Sequence, residues 1–592
     1  MILISLIFIA YNFDEIIDRS NTNSFKYDLV PFRNPDLPDD FISMWVADQD
    51  FAVAPPIINA MKKHLDDSRI LGYSIITDPE YFTTISNWMK KRHGWDAIPS
   101  NFVFTSGVVN ALRIAVDLLT KEGDGIIFNT PAYKNFQVVV EQKGRKTDIS
   151  KLKVDEKGYY TVDYEDLEKK CSNPNNKVFI LCNPHNPVGR VWKEEELRKI
   201  ADICFSHNIF IVSDEIHCDL LRNGYNHIPL AKLYPKEKRL IVCTSPSKTF
   251  NLAANQLSNI YIPDKYLRKK WKTQFIAKFP NPLSIEACKA AYLECESWLD
   301  QLKVYLDANF ELLNERLKSE LPQASFRISE GSYLAWINFE NLGFSDDELK
   351  YRITRAGVFV EYANEFVQNG EHHIRLNLAC PRSVLNESIT RIIKALAENY
   401  VSKQFEGQLQ INDQFPTEKV GIENEVGNEK TVVYFLRYFG CQATQLILRD
   451  LRENLHEKIL KKNPNVKVIV FLNSSKENYI KLNGDDLSSL PFVLKFNVDI
   501  EIYKELKIHP AKNFNFLNDA DTQDAIDMAV DLGIRNLDCE KDSNPLQRPA
   551  TFIIDSQGKV LYSKYGHGIA SVPDVEELAK IIFKEEFKND EI

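Results

Sequence analysis

The run Ser245-Pro246-Ser247-Lys248-Thr249-Phe250-Asn251 sets two hydroxyls just ahead of a lysine. That combination suits one kind of chemistry: the hydroxyls hold a phosphate while the amine forms a Schiff base with an aldehyde on the same small molecule. Ser245, Ser247 and Lys248 are therefore candidate cofactor-binding residues, and Lys248 is also the candidate catalytic amine. A second stretch, Ile209-Phe210-Ile211-Val212-Ser213-Asp214-Glu215-Ile216-His217, carries an apolar run into a carboxylate and then, three residues on, an imidazole. An ionised Asp214 would keep a pyridine nitrogen protonated so that the ring accepts carbanion electrons, and a donor such as His217 near the ring hydroxyl would tune the imine. A serine-rich turn, or a histidine after a strand, is common by itself. The ordered set is not.

For these groups to meet, each must stand where a strand hands over to a loop or helix. Leu240-Ile241-Val242-Cys243 leads into the lysine segment, and Val178-Phe179-Ile180-Leu181 leads into Cys182-Asn183-Pro184-His185-Asn186-Pro187-Val188-Gly189-Arg190. From Phe102 onward strand and helix patterns alternate, which predicts a mostly parallel sheet with crossover helices. Within that alternation, Thr105-Ser106-Gly107-Val108-Val109 places a small-residue turn before a helix running to Leu119. Free amides at such a start bind phosphate, so Ser106, Gly107, Val108 and Val109 join the candidate set. Together the pattern points to pyridoxal 5'-phosphate.

From about Tyr11 to about Tyr400 the chain resembles the fold-type I pyridoxal phosphate enzymes of the class I/II aminotransferase superfamily, most closely the cystathionine β-lyase branch of MalY/PatB-type C–S lyases. The resemblance implies an α/β fold with a mostly parallel central sheet covered by helices on both faces, over about residues 50–285. A small α+β domain would form from the N-terminal arm and about residues 286–400. It implies that Tyr133 stacks on the pyridine ring, that Asn186 touches the ring hydroxyl and the substrate, and that Arg375, in His373-Ile374-Arg375-Leu376-Asn377, grips the α-carboxylate, a task for which a guanidinium fork is well shaped. Tyr73 matches a catalytic-site tyrosine that reaches the cofactor phosphate of a neighbouring subunit, which implies a homodimer. The implied reaction is β-elimination on an amino-acid thioether such as cystathionine. An aminotransferase is the nearest alternative, but the position eight residues after the lysine, where those enzymes commonly place an arginine, is Gln256. A redox-sensing or scaffold protein with a decayed lyase domain is a further alternative. Gln49, Ala254 and Asn255 depart from the family pattern.

The remaining sequence sets bounds. At 592 residues the chain is too long for one compact domain. A formal charge of -10 and the absence of a basic run with interleaved aromatics argue against nucleic acid, and no stretch is long and apolar enough for a membrane span. Residues 1–10 are apolar but lack a basic flank and read as an addition ahead of the lyase-like region. Ten scattered cysteines without CxxC or Cys/His groupings suit a reducing cytoplasm and predict no structural metal. Residues 401–430 read as a linker. Residues 431–592 resemble a thioredoxin-like, AhpC/TSA-type domain, in which Pro549 stands at the position of a cis-proline. There Cys441 begins a helix whose dipole favours a thiolate, making it a possible redox residue, although Thr444 and Tyr438 replace groups common in relatives and Cys539 is remote in sequence.

Overall fold

The computed structural model describes residues 10–583 apart from 35–36, 77, 275–278, 399–406, 484–486, 498–499, 512–513, 518–519, 538 and 540–542. All but the last of the ten N-terminal residues read as an addition thus lie outside the described residues. The chain divides into two units: Met1–Asp18 with Ile42–Ile353 and Phe359–Glu398, and Arg19–Phe41 with Thr354–Val358 and Asn399–Ile592. No helix among the described residues is long and apolar enough to cross a membrane.

The first unit is built on seven strands, β1 (Phe102–Thr105), β2 (Gly125–Thr130), β3 (Lys146–Lys151), β4 (Asn176–Cys182), β5 (Phe210–Asp214), β6 (Leu240–Thr244) and β7 (Ser258–Tyr261), in the order β1-β7-β6-β5-β4-β2-β3. From β6 to β3 every pairing is parallel, while β7 runs antiparallel to both its neighbours. Val178, Phe179, Ile180 and Leu181 of β4 are all buried. That continuous apolar run is what a strand covered on both faces requires. Helix α1 (Val108–Leu119) buries Val108, Ala111, Leu112 and Ala115, the spacing of one helical face. Because β4, β5 and β6 are parallel, the loops after Cys182, Asp214 and Thr244 leave the same edge of the sheet, which is where ligands bind in such folds.

A four-stranded antiparallel sheet comes next, β8 (Ser325–Phe326), β9 (Leu334–Asn338), β10 (Glu361–Tyr362) and β11 (His373–Asn377), in the order β8-β9-β11-β10. Residues 44–50 are laced to it. Met44 N donates to Phe359 O at 2.8 Å, Asn377 Nδ2 to Val46 O and Asp48 O at 2.7 and 2.8 Å, and Asp50 N to Ala379 O at 2.8 Å.

The second unit has five strands, β12 (Lys430–Leu436), β13 (Lys467–Leu472), β14 (Val493–Phe496), β15 (Ala550–Asp555) and β16 (Val560–Tyr565), in the order β14-β13-β12-β15-β16. The first three named in that order are parallel, and β15 and β16 join antiparallel. The fold departs from three expectations. Residues 407–430 are not a free linker: Phe415, Val420 and Ile422 are buried in this unit's core, and Phe415 N bonds Gly558 O at 2.8 Å, because these few apolar side chains cover one face of the sheet. The N-terminal arm, expected with the small lyase domain, belongs from Arg19 to Phe41 to the second unit, where Val30 and Leu37 are buried and Asp39 pairs with Arg548 at 2.5 Å. Cis peptide bonds precede Pro131, Pro184 and Pro187, and Pro549 is not among them.

Candidate active site

Lys248 sits on α2 (Pro246–Thr249), a single turn after β6. Ser245 caps that turn: its Oγ accepts from Ser247 N at 3.2 Å and donates to Leu257 O at 2.7 Å. The far side is fixed by Asp219, which accepts from Thr249 Oγ1 at 3.0 Å and Trp88 Nε1 at 3.1 Å and pairs with His93 Nε2 at 2.9 Å. Burial alone would raise the Asp219 carboxyl, but the His93 and Thr249 contacts outweigh it and hold the group below its ordinary range. His93, Cys218 and Asp219 do bring metal-ligating atoms within 4.8 Å of one another. Their visible work is to anchor the residue next to the lysine. Lys248 Nζ donates to Ala47 O at 2.5 Å, and burial, helped by Arg375 and opposed by Asp48, Glu361 and Asp214, brings its amine down to about 8.

Asp214 ends β5 and is buried. Desolvation, with Glu215 adding to it, lifts its carboxyl to about 7 despite a hydrogen bond from Ile216 N and the nearby Lys248 amine. A carboxyl held that far up is ionised by the arrival of a cationic partner, and a protonated ring nitrogen is one. His217 is buried, and burial with the Lys248 and Arg375 charges pushes it down to about 3, so the ring is neutral; its Nδ1 lies 3.2 Å from Ser332 Oγ. Tyr133, at the strand end Ala132–Tyr133, is largely enclosed, and desolvation raises its phenol above the ordinary value. Arg375 projects from β11 and donates from Nη1 to Asn186 Oδ1 at 3.0 Å and from Nη2 to Trp45 O at 3.3 Å. Thus Lys248, Asp214, His217, Tyr133, Asn186 and Arg375, drawn from separate elements, share one neighbourhood, as their mutual electrostatic influence requires.

At the other end, Gly107 caps α1 with φ +86°, a left-handed conformation that glycine adopts without penalty, and a Cβ there would meet nothing within 4 Å. That open space stands before Val108 and Val109, whose N–H groups have no intrahelical acceptor by position. Ser106 Oγ accepts from Asn110 Nδ2 at 3.0 Å. The donor set, an enclosed lysine, a buried carboxyl raised toward neutrality, and an open glycine-led helix start, fits pyridoxal phosphate.

Tyr73, expected to reach the site of a neighbouring subunit, is 93% exposed, with its ring against Phe279. Gln256 is exposed as well. Several site residues escape sequence reasoning. Glu361 pairs with Arg375 across two strands, and Asn251 joins Gln49 N, Gln49 O and Phe51 O to the lysine loop. Asp219 had a signal, an acidic residue in the apolar stretch two positions beyond His217. Glu361 had only its place in a short alternating strand.

In the second unit Cys441 caps α3 (Gln442–Leu455) and is buried. Arg437 Nη1 donates to its Sγ at 3.0 Å, while Arg437 Nε donates to Gln547 O at 3.1 Å and Nη2 to Pro545 O. Cys539, remote in sequence, packs against the small cluster of Tyr438, Cys441 and Ala443.

Residues 40–392 match the family of class I and II aminotransferases. The chain is 38% identical to the cystathionine β-lyase PatB of Bacillus subtilis over 65% of its own length and 100% of that protein's, and 30% identical to the MalY protein of Escherichia coli over 65% and 99%. Among solved structures, the pyridoxal phosphate-bound C–S lyase of Staphylococcus hominis superposes with a TM-score of 0.63 at 39% identity, over 66% of this chain and 99% of that one. Family match and site geometry fall on the same residues, and the chain belongs to the class I and II aminotransferase family.

Proposed function

We propose that the chain catalyses β-elimination at the C–S bond of cystathionine or a related cysteine S-conjugate, releasing a thiol, pyruvate and ammonia. It is a pyridoxal phosphate enzyme, and the cofactor, when bound, supplies the electron sink for a substrate carbanion. The observation that carries the reading is Lys248 Nζ, enclosed, brought down to about 8, and sharing one neighbourhood with Asp214 and Arg375. An amine with that value is partly unprotonated near neutrality, so Nζ can take the α-proton. Arg375 and Asn186 hold the α-carboxylate and so turn the α-hydrogen toward the lysine. Asp214 would hold a positive charge on the ring nitrogen, and the neutral His217 offers a hydrogen-bonding nitrogen without adding charge. Gly107, Val108 and Val109, with Ser245 and Ser247, would take the phosphate.

Tyr73 supports a homodimeric reading. It lies in an exposed apolar patch with Ile70, Leu71 and Ile75, the kind of surface that marks an interface. Purified protein given L-cystathionine without keto acid should release pyruvate and homocysteine continuously. Strict dependence on an added α-keto acid would assign it instead to amino-group transfer.

For the second unit we infer a thioredoxin-like, AhpC/TSA-type domain carrying a single reactive thiol at Cys441, a thiol sensor or one-cysteine peroxidase. The strand order, with three parallel strands and an antiparallel pair, supports that reading, as does the Arg437 guanidinium placed on the sulfur. A cytoplasmic setting accords with ten free cysteines.

A further inference from the structure

The role assigned here to Glu361 rests on Arg375 being the clamp for the substrate's α-carboxylate. That guanidinium already has an anionic partner. Glu361 of β10 stands opposite Arg375 of β11 in the strand register, and its Oε2 forms an ion pair with Arg375 Nη2. The two sides of the pair differ in burial. Arg375 is 2% exposed, is held by Asn186 Oδ1 and Trp45 O, and its Nε is buried with no acceptor. The Glu361 side chain keeps 16% of its surface in water. When one member of the pair has to yield, it is the carboxylate that has a way out to solvent.

A buried guanidinium without a counter-charge is expensive, and a resting pair removes that expense while the site is empty. It also means that an incoming α-carboxylate meets an occupied cation. We propose that Glu361 is a resting counter-charge that makes substrate binding an exchange of carboxylates on Arg375: the α-carboxylate displaces Glu361 as it enters, and Glu361 returns to the guanidinium as the carboxylate of the product leaves. The residue weakens the hold on every carboxylate ligand, substrate and pyruvate alike, and in return keeps product release quick. A ligand with an amine but no carboxylate leaves the pair undisturbed.

Three small ligands separate these cases on the cofactor-loaded full-length protein: propionate (carboxylate only), L-alanine (both groups) and ethylamine (amine only), each measured by calorimetric titration. In Glu361→Gln, propionate and L-alanine should bind about tenfold more tightly, the size expected for no longer breaking one partly solvated ion pair, while ethylamine stays within about twofold. Glu361→Asp, which keeps the charge, should stay close to the parent. Propionate binding that is unchanged or weaker in Glu361→Gln, or an equal change for all three ligands, would overturn the exchange. Arg375→Leu guards the premise: if it leaves propionate binding untouched, the carboxylate assignment of Arg375 has failed, and the exchange fails with it.

Discussion

The two units each place a candidate nucleophile where a chain leaves a sheet and begins a helical turn, Lys248 after β6 and Cys441 after β12. Their surroundings differ. Around Lys248 converge charged or polar groups from at least four other elements: Asp48 from the laced N-terminal segment, Asp214 from β5, Glu361 from β10 and Arg375 from β11. Around Cys441 lie Tyr438, Ala443 and Cys539, with one guanidinium supplied from four residues upstream on its own loop. A strand-to-helix junction thus provides a position. The Lys248 site draws its charges from distant parts of the chain, whereas the one guanidinium on the Cys441 sulfur comes from its own loop.

The sharpest way to break that contrast is Lys248→Ala. It should lower pyruvate release from L-cystathionine by about 10⁴-fold or more, the upper range for a positioned base, since the same amine also anchors the cofactor. The far-ultraviolet circular dichroism should be unchanged. Retained turnover would end the assignment. Arg375→Leu comes next, with a loss in kcat/KM worth on the order of 2–5 kcal/mol for an abandoned carboxylate partner, and with the cofactor's visible absorbance kept. Loss of that absorbance would instead give Arg375 a role in holding the cofactor.

A third test uses pH on the cofactor-free protein. The Asp214 carboxyl titrates at about 7 when folded, against an ordinary 3.8, so the folded chain holds a proton that the unfolded chain gives up. The group is neutral in both states well below its ordinary value, becomes destabilising as pH rises through about 4, and reaches its full effect above 7, on the order of 4 kcal/mol. His217 runs the other way. Pushed down from 6.5 to about 3, it opposes folding as pH falls below 6.5. Over pH 4 to 7 the two trends oppose each other, so Asp214→Asn should make the urea midpoint rise more steeply with pH across that window than it does in the parent. Parallel curves for parent and variant would contradict the buried carboxyl. The smallest effect belongs to the second unit: Arg437→Met should slow alkylation of Cys441 by about fivefold relative to Cys539, the scale of one hydrogen bond worth about 1 kcal/mol, and leave lyase turnover untouched. An unchanged rate would reduce the Arg437 contact to packing.

How far the sequence reveals the site depends on the range of each interaction. Lys248, Asp214 and Gly107 are legible because their chemistry is written beside the apolar run that becomes their strand. Asn186 and Arg375 become legible through resemblance, since nothing local distinguishes a clamp arginine from a surface one. Glu361, 14 positions from Arg375, becomes part of the site only through the β10–β11 register, and Asp219 reaches His93 across 126 positions. Residues 407–430 and the Arg19–Phe41 arm defy a sequence-based assignment for a related reason: a few apolar side chains, Phe415, Ile422, Val30 and Leu37, decide where a polar segment goes, and their partners lie far along the chain.

The lacing of residues 44–50 has a consequence for the order in which the protein can be made. Val46 and its amide partner Asn377 are 331 positions apart, and Asp50 waits for Ala379. At a synthesis rate of 5–20 residues per second, the ribosome needs roughly 17 to 66 s to deliver the second half of each contact after the first has emerged. Throughout most of that interval Trp45, buried in the finished unit against Phe359, has no finished place to go. A chain stopped at residue 340 should accordingly be cut by protease within residues 44–51 while the full chain resists there. Equal resistance would mean that this segment finds another shelter during synthesis.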